Sequence, residues 1–285
     1  MKNGSFFVPR AQLNSFMKSD MRGFEGLSLA WETDPDVARR VLPPPLELAD
    51  PAHPTAYVYV VNIREPGFAP WYMEAALALF ARFRETVGVY FLNLQLSGPG
   101  AAMGLCTGRP VGLPKKLCER IVVERVGDCA HVLVEAKGRR IFEAEAEVYP
   151  PETPQAVARA AGKVGAKERG ACFLYTYEES LEADGPRRLT SARLCHYDSL
   201  NVYESSEPAR VASIAMAPSL DDPWAELSIV KPLWAVWSVY GNPVLGVSTL
   251  VEFKGEEADR LFPYLFAGRW DRTTLGGSNQ RYGQF

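Results

Sequence analysis

The sequence predicts an α+β fold, mostly antiparallel β, closed into a barrel or cone and decorated with a few short helices. Many stretches alternate or run rich in β-branched and aromatic residues: "TAYVYVVNI", "VGVYFLNLQL", "KLCERIVVERV", "HVLVEAKG", "RRIFEAEAEVY", "ACFLYTYEE", "LTSARLCHYD", "RVASIAMAP" and "GVSTLVEF". Turn punctuation, "GD" and "KG", stands between several of them, as a meander of hairpins requires. No internal repeat, low-complexity run or composition break marks a linker, so residues 1–285 form one domain. So many strands in one domain would leave edges to protect, and closure of the sheet removes them.

Taken in order, the residues before about 20 form an arm or extension, and "GLSLAW" opens the sheet. "TDPDVARRVLPPPLEL" carries a short helix with Asp34 as N-cap, Pro35 at its first position, and Pro43 to Pro45 to stop it. "YMEAALALFARF" fits a buried helix by length or a strand that runs into a loop. "PETPQAVARAAGKVGAK" and "EEADRLFPYLF" have helical composition, the second despite Pro263. "LWAVWSVYGN" spaces Trp234, Trp237 and Tyr240 three apart, as one packed helix face would.

A chain of 285 residues can bury roughly 75% of its unfolded surface and needs no staples. Its 47% hydrophobic and 23% charged residues are those of an ordinary globular protein. A formal net charge of −3, with lysines and arginines scattered, argues against nucleic acid and for a small-molecule partner. The N-terminal stretch lacks the apolar core of a secretory signal, and no run is long and apolar enough for a membrane helix, which points to the cytoplasm. Five cysteines without CxxC spacing and three dispersed histidines predict reduced thiols and no metal site. "GPGAAMG" at 98 to 104 has GxGxxxG rather than GxGxxG spacing, with Pro99 in the turn and no helix expected after it, which argues against a nucleotide-binding loop.

One motif carries chemistry. "GLPKK" sets Lys115 and Lys116 side by side behind a proline, where a Gly/Pro-rich loop enters a strand. Adjacent lysines are common at exposed strand ends, so the pair means little without its setting. With a pKa near 10.4 only about one lysine in 2,500 is neutral at pH 7 and able to attack a carbonyl. Making such an amine reactive requires the fold to disfavour its ammonium by roughly 5 kcal/mol, through burial or a second cation. A lysine pair between Leu113 and Leu117 offers both.

"GRPVGLPKKL" resembles the lysine-pair motif of the acetoacetate decarboxylase family. "WETDPDVARRVLPPPLEL", "WYMEAALAL" and "RVASIAMAPSLDDPWAELSIV" are similar to other segments of that family, in the same order, so the resemblance spans most of the chain. It implies that Lys115 forms a Schiff base with a keto acid, that Lys116 is its electrostatic neighbour, and that Glu74 is a pocket carboxylate that handles protons. It implies no cofactor, and a homo-oligomer. The departures lie in the pocket. Phe24 falls where the family has an arginine, with Arg22 the nearest substitute. Tyr59 replaces a second carboxylate, and Pro110 stands where a glutamate is expected. Arg22, Phe24, Tyr59, Leu113 and Tyr240 are the expected substrate-binding residues.

A protonated imine accepts electrons from a breaking C–CO₂, C–C or C–H bond, so one lysine serves several reactions. The resemblance implies decarboxylation of a small β-keto acid. An aldolase-dehydratase joining pyruvate to an aldehyde is the alternative, with Tyr240 as a candidate proton donor, and a non-catalytic binding barrel is the reading from another class. His196 in "CHYDS" is a further candidate base.

Overall fold

The computed structural model describes residues 9–11, 20–149, 165–180, 187–266 and 268–275. Among the described residues, twelve strands make a single sheet: β1 (Asp20–Glu32), β2 (Glu47–Leu48), β3 (Thr55–Glu65), β4 (Tyr72–Phe83), β5 (Thr86–Ser97), β6 (Lys115–Leu117), β7 (Arg120–Val126), β8 (Cys129–Ala136), β9 (Arg139–Val148), β10 (Lys167–Ser180), β11 (Arg188–Ala215) and β12 (Lys231–Lys254). Their order is β10-β5-β4-β3-β1-β12-β11-β9-β8-β7, and β10 pairs with β11 as well as with β5. Seven strands therefore come round into a ring, closed by a parallel pairing of Cys172 and Phe173 with Val89 and Tyr90. The pairings are antiparallel except those of β5 with β6 and β10.

Alternation along each strand divides the apolar residues between two cores. On β1, Leu27, Leu29 and Trp31 face the outer core, which the flap β7–β9 covers, and Phe24 faces the inside of the ring. Tyr59, Val61 and Ile63 of β3 join Phe24 inside, while Val58 and Val60 face out. The interior of the ring is where a ligand can sit.

Helix α1 (Pro35–Val41) has the expected cap, since the Asp34 carboxylate accepts from the backbone N–H groups of Asp36 and Val37 at 2.8 and 3.0 Å. "YMEAALALFARF" is β4. Its run from Ala75 to Leu79 is fully buried on both faces, so the polar alternation that marks a strand is missing. "LWAVWSVYGN" is not a helix face but part of β12, where a spacing of three sends Trp237 to the outer core and Trp234 and Tyr240 to the inner side. "LTSARLCHYD" and "RVASIAMAP" are two ends of the 28-residue β11. A helix, α2 (Ala101–Gly108), does follow "GPG", against expectation. "EEADRLFPYLF" folds as two short helices, Glu256–Asp259 and Phe262–Phe266, with Pro263 in the first turn of the second, where a missing N–H costs nothing. The helix predicted in "PETPQAVARAAGKVGAK" lies, up to residue 164, outside the described residues. No helix among the described residues is long and apolar enough to cross a membrane.

Candidate active site

The lysine loop is fixed by backbone geometry before any side chain is considered. After α2, residues Arg109–Val111 make a 3₁₀ turn that ends at Gly112, whose φ of 102° is open to glycine, and a Cβ there would lie 2.7 Å from the Tyr175 carbonyl oxygen. Pro114 cannot donate, but its carbonyl accepts from Leu94 N–H at 3.0 Å, and β6 then pairs in parallel with β5, Lys115 opposite Leu94. Arg109 Nε donates to the Lys115 carbonyl at 2.9 Å, and Arg269 Nη2 donates to the carbonyls of Gly112 and Tyr175, each at 2.6 Å.

Consecutive strand residues point to opposite faces, so the two lysines diverge. Lys115 enters the ring; Lys116 leaves it. Lys115 Nζ lies 2.7 Å from Glu74 Oε2, with both residues 5% exposed. Tyr59 Oη donates to the other carboxylate oxygen, Glu74 Oε1, at 2.6 Å. The Lys115 stem passes over Gly108, where an added Cβ would meet Lys115 Cδ at 2.6 Å and Cε at 2.7 Å. The ammonium also lies 5.8 Å from the centre of the Tyr72 ring.

Lys116 sits outside the cavity, contrary to its expected part as electrostatic neighbour. Its ammonium binds Asp222 at 2.8 Å, Asp271 at 2.6 Å and the Asp221 carbonyl at 2.8 Å. Gln95 donates to the same Asp222 oxygen at 2.7 Å, and Lys137 reaches Asp271 at 2.8 Å. Burial raises the Asp222 carboxyl above the usual carboxylate range, although Lys116 draws it down. This network ties the lysine strand to the segment around residues 269–271.

Lys115 and Glu74 open onto a cavity of about 400 Å³ inside the ring. Its lining includes Phe24, Tyr57, Tyr59, Leu113, Tyr197, Trp234 and Tyr240. Phe24 stacks on Tyr240 with ring centres 5.1 Å apart, filling the place expected for an arginine. Tyr59, standing where a second carboxylate was expected, supplies a hydroxyl instead of a charge. Burial pushes the Tyr59 and Tyr240 phenols well above their ordinary values, so both remain O–H donors across the neutral range. Arg169 also lines the cavity, but its guanidinium is held by Asp198 at 3.0 and 2.7 Å and is largely exposed.

Of the expected site residues, Arg22 does not line the cavity, nor do Pro110 and His196. Arg22 pairs with Asp20 at 2.7 Å on the surface. A register shift between Met21 and Phe24, with Gly23 at φ 63°, turns it outward and puts Met21 against the cavity instead. Pro110 stays in its 3₁₀ turn, and His196 faces away beside Phe173 while its neighbour Tyr197 lines the wall. Tyr57, Tyr197 and Gly108 were not anticipated. The alternation in "TAYVYVVNI" is the signal that places Tyr57 on the face of Tyr59, whereas no local signal marks Gly108.

An amine held dry against a carboxylate, with phenol donors around it, is suited to addition to carbonyl compounds and to proton transfer at the adjacent carbon. Comparisons with known proteins agree with the fold and the motif. The chain is 29% identical over 274 residues to a CLA biosynthesis isomerase of Lactiplantibacillus plantarum, covering 94% of this chain and 95% of that one. Its fold superposes on an acetoacetate decarboxylase from Legionella pneumophila subsp. pneumophila str. Philadelphia 1 with a TM-score of 0.68 at 16% identity, covering 88% of this chain and 99% of the other. It also superposes on MppR, an enduracididine biosynthesis enzyme complexed with pyruvate, with a TM-score of 0.60 at 17% identity, covering 87% and 93%. A sequence model of acetoacetate decarboxylase (ADC) matches residues 7–252, and the chain belongs to that family.

Proposed function

We propose that this protein is a lysine-imine enzyme that acts on a ketone with an apolar body and moves a proton at the carbon beside the carbonyl, so that an unsaturated ketone is isomerised. The observation that carries this reading is the Glu74 carboxylate, shared between Lys115 Nζ and Tyr59 Oη at the floor of an aromatic cavity.

Lys115 gives up a proton, attacks the carbonyl carbon and loses water to form the iminium. Glu74, within reach of the same atoms, removes a proton from the α-carbon and leaves a dienamine. Returning that proton to the γ-carbon moves the double bond, and water then releases the conjugated ketone and the free amine. No outside oxidant or reductant is needed. The Tyr59 phenol donates to the carboxylate, and the Tyr240 phenol on the same cavity wall would serve the carbinolamine oxygen.

Decarboxylation of a small β-keto acid uses the same iminium, but the pocket suits it less well. Next to the amine stands the Glu74 carboxyl group, Phe24 takes the place of a cation, and Arg169 is engaged by Asp198. A substrate carboxylate would thus be desolvated without a partner. The cavity also falls in the range of about 300–1,000 Å³ that holds drug-sized ligands, larger than a small keto acid needs. The relative that covers nearly the whole chain is itself an isomerase.

The test is NMR in D₂O with a β,γ-unsaturated methyl ketone and, separately, acetoacetate. Double-bond migration, lost in Glu74→Gln, is the expected outcome. Fast release of CO₂ from acetoacetate without any migration would replace this reading with decarboxylation.

A further inference from the structure

Beside the lysine cavity, and sharing Tyr57, Asn201, Tyr203, Trp234 and Tyr240 with it, lies a second chamber of about 520 Å³. Its wall is aromatic and aliphatic except for Asn201 and a group of hydroxyls from neighbouring strands. Ser28, Ser206 and Ser238 are 7%, 3% and 2% exposed and line the chamber. Ser206 and Ser238 stand opposite each other in the β11–β12 register, with their oxygens 3.5 Å apart, and Ser28 hydrogen-bonds the Tyr57 phenol. A hydroxyl offers one donor and two acceptors, so this group retains hydrogen-bonding capacity toward the chamber. Hydroxyls placed at inward positions of an otherwise apolar wall cost stability unless they meet a polar partner. None of the described residues lining the chamber carries a charge. An anion there would be desolvated without compensation.

We infer that the second chamber is a subsite for the far part of the substrate, and that it takes an uncharged hydrogen-bonding group, such as a hydroxyl, on a chain extending from the ketone. The inference rests on the ketone being held at Lys115 and adds the class of molecule it belongs to.

Three probes test it: alkyl methyl ketones of matched chain length ending in methyl, hydroxyl or carboxylate. Binding is followed by tryptophan fluorescence, to which Trp234 contributes, in the full chain and in a Ser206→Ala/Ser238→Ala double variant. A melting curve establishes that the variant folds. The native protein is expected to bind the hydroxyl-ended ketone about three- to tenfold more tightly than the methyl-ended one, the range of one or two neutral hydrogen bonds. The carboxylate-ended ketone should bind weakest, and the hydroxyl preference should vanish in the double variant. A preference that survives in the double variant, or tightest binding of the carboxylate, overturns the inference. Repeating the titration in Lys115→Ala separates the two claims. A hydroxyl preference that persists there, with no hydride-trapped adduct on the native lysine, would keep the subsite and reject imine chemistry.

Discussion

Gly108→Ala tests how tightly the lysine is positioned, because the added methyl would enter the space its stem occupies. The Cβ would lie 2.6 Å from Lys115 Cδ, 2.7 Å from Cε and 3.2 Å from Nζ. Carbon atoms in contact settle at about 3.5–4.0 Å, so the stem must move by roughly 1 Å. Gly108 has φ −84° and ψ −39°, which alanine adopts without strain. Alanine also favours a helix over glycine by about 1 kcal/mol, which offsets part of an overpacking cost of about 1–3 kcal/mol. Stability should change little. A reacting group displaced by 1 Å can lose about 10²-fold in rate, and that is the loss expected in imine formation. The assay is the rate at which a simple methyl ketone is trapped on Lys115 by a hydride reductant, measured by mass spectrometry beside a thermal melt. Gly104→Ala is the control, since its Cβ would press on Leu96 and Tyr72 rather than on the lysine. Trapping in Gly108→Ala at the native rate, in a folded protein, would refute the positioning argument.

Other outcomes follow from the same geometry. Lys116→Met should lower stability by about 3–5 kcal/mol, read by denaturant unfolding, because it leaves Asp222 buried without its cation. The folded fraction should still trap ketone, since Lys116 lies outside the cavity. Burial acts to raise the Asp271 carboxyl, but Lys116 and Lys137 overcome it and hold the group below its ordinary value. Its contribution is therefore present above the ordinary carboxylate pKa of about 3.9 and lost as pH falls through the lower folded value. The melting-temperature gap between Asp271→Asn and the native protein should be widest near neutrality and close in acid. Among the thiols, Cys106 and Cys129 are exposed, whereas burial pushes Cys118 and Cys172 up to about 12. A thiol-disulfide reagent at pH 8 should label Cys106 and Cys129 fast, and Cys118 and Cys172 only after unfolding. Tyr59→Phe should lower the rate of proton transfer without moving any activity limb below about pH 10, since the Tyr59 phenol stays protonated throughout that range.

The hairpins of β7, β8 and β9 were legible because their turns fall on Gly127 and Gly138, both at positive φ, between alternating runs. The lysine motif was legible because glycine and proline fix the chain around it. That Lys116 turns out of the cavity follows from strand alternation alone, once "KKL" is known to be a strand. The strand β4 was ambiguous for a physical reason: burial on both faces erases the polar alternation that distinguishes strand from helix. The lengths of β11 and β12 were hidden by register shifts, such as those at Asp198/Ser199 and Tyr203/Ser205, which reset the inward face along the strand. Arg22 was misplaced for a similar reason, the irregularity at Gly23. The serine chamber is invisible locally, because Ser28, Ser206 and Ser238 come together only through pairings that span most of the chain.

The most direct test of the central claim is peptide mass spectrometry of the native protein incubated with an apolar methyl ketone and a hydride reductant. The account predicts a single reduced adduct, on the peptide holding Lys115, abolished in Lys115→Arg and slowed in Glu74→Gln. An adduct on Lys116 or on surface lysines alone, or none at Lys115 with ketones that demonstrably bind, would contradict it.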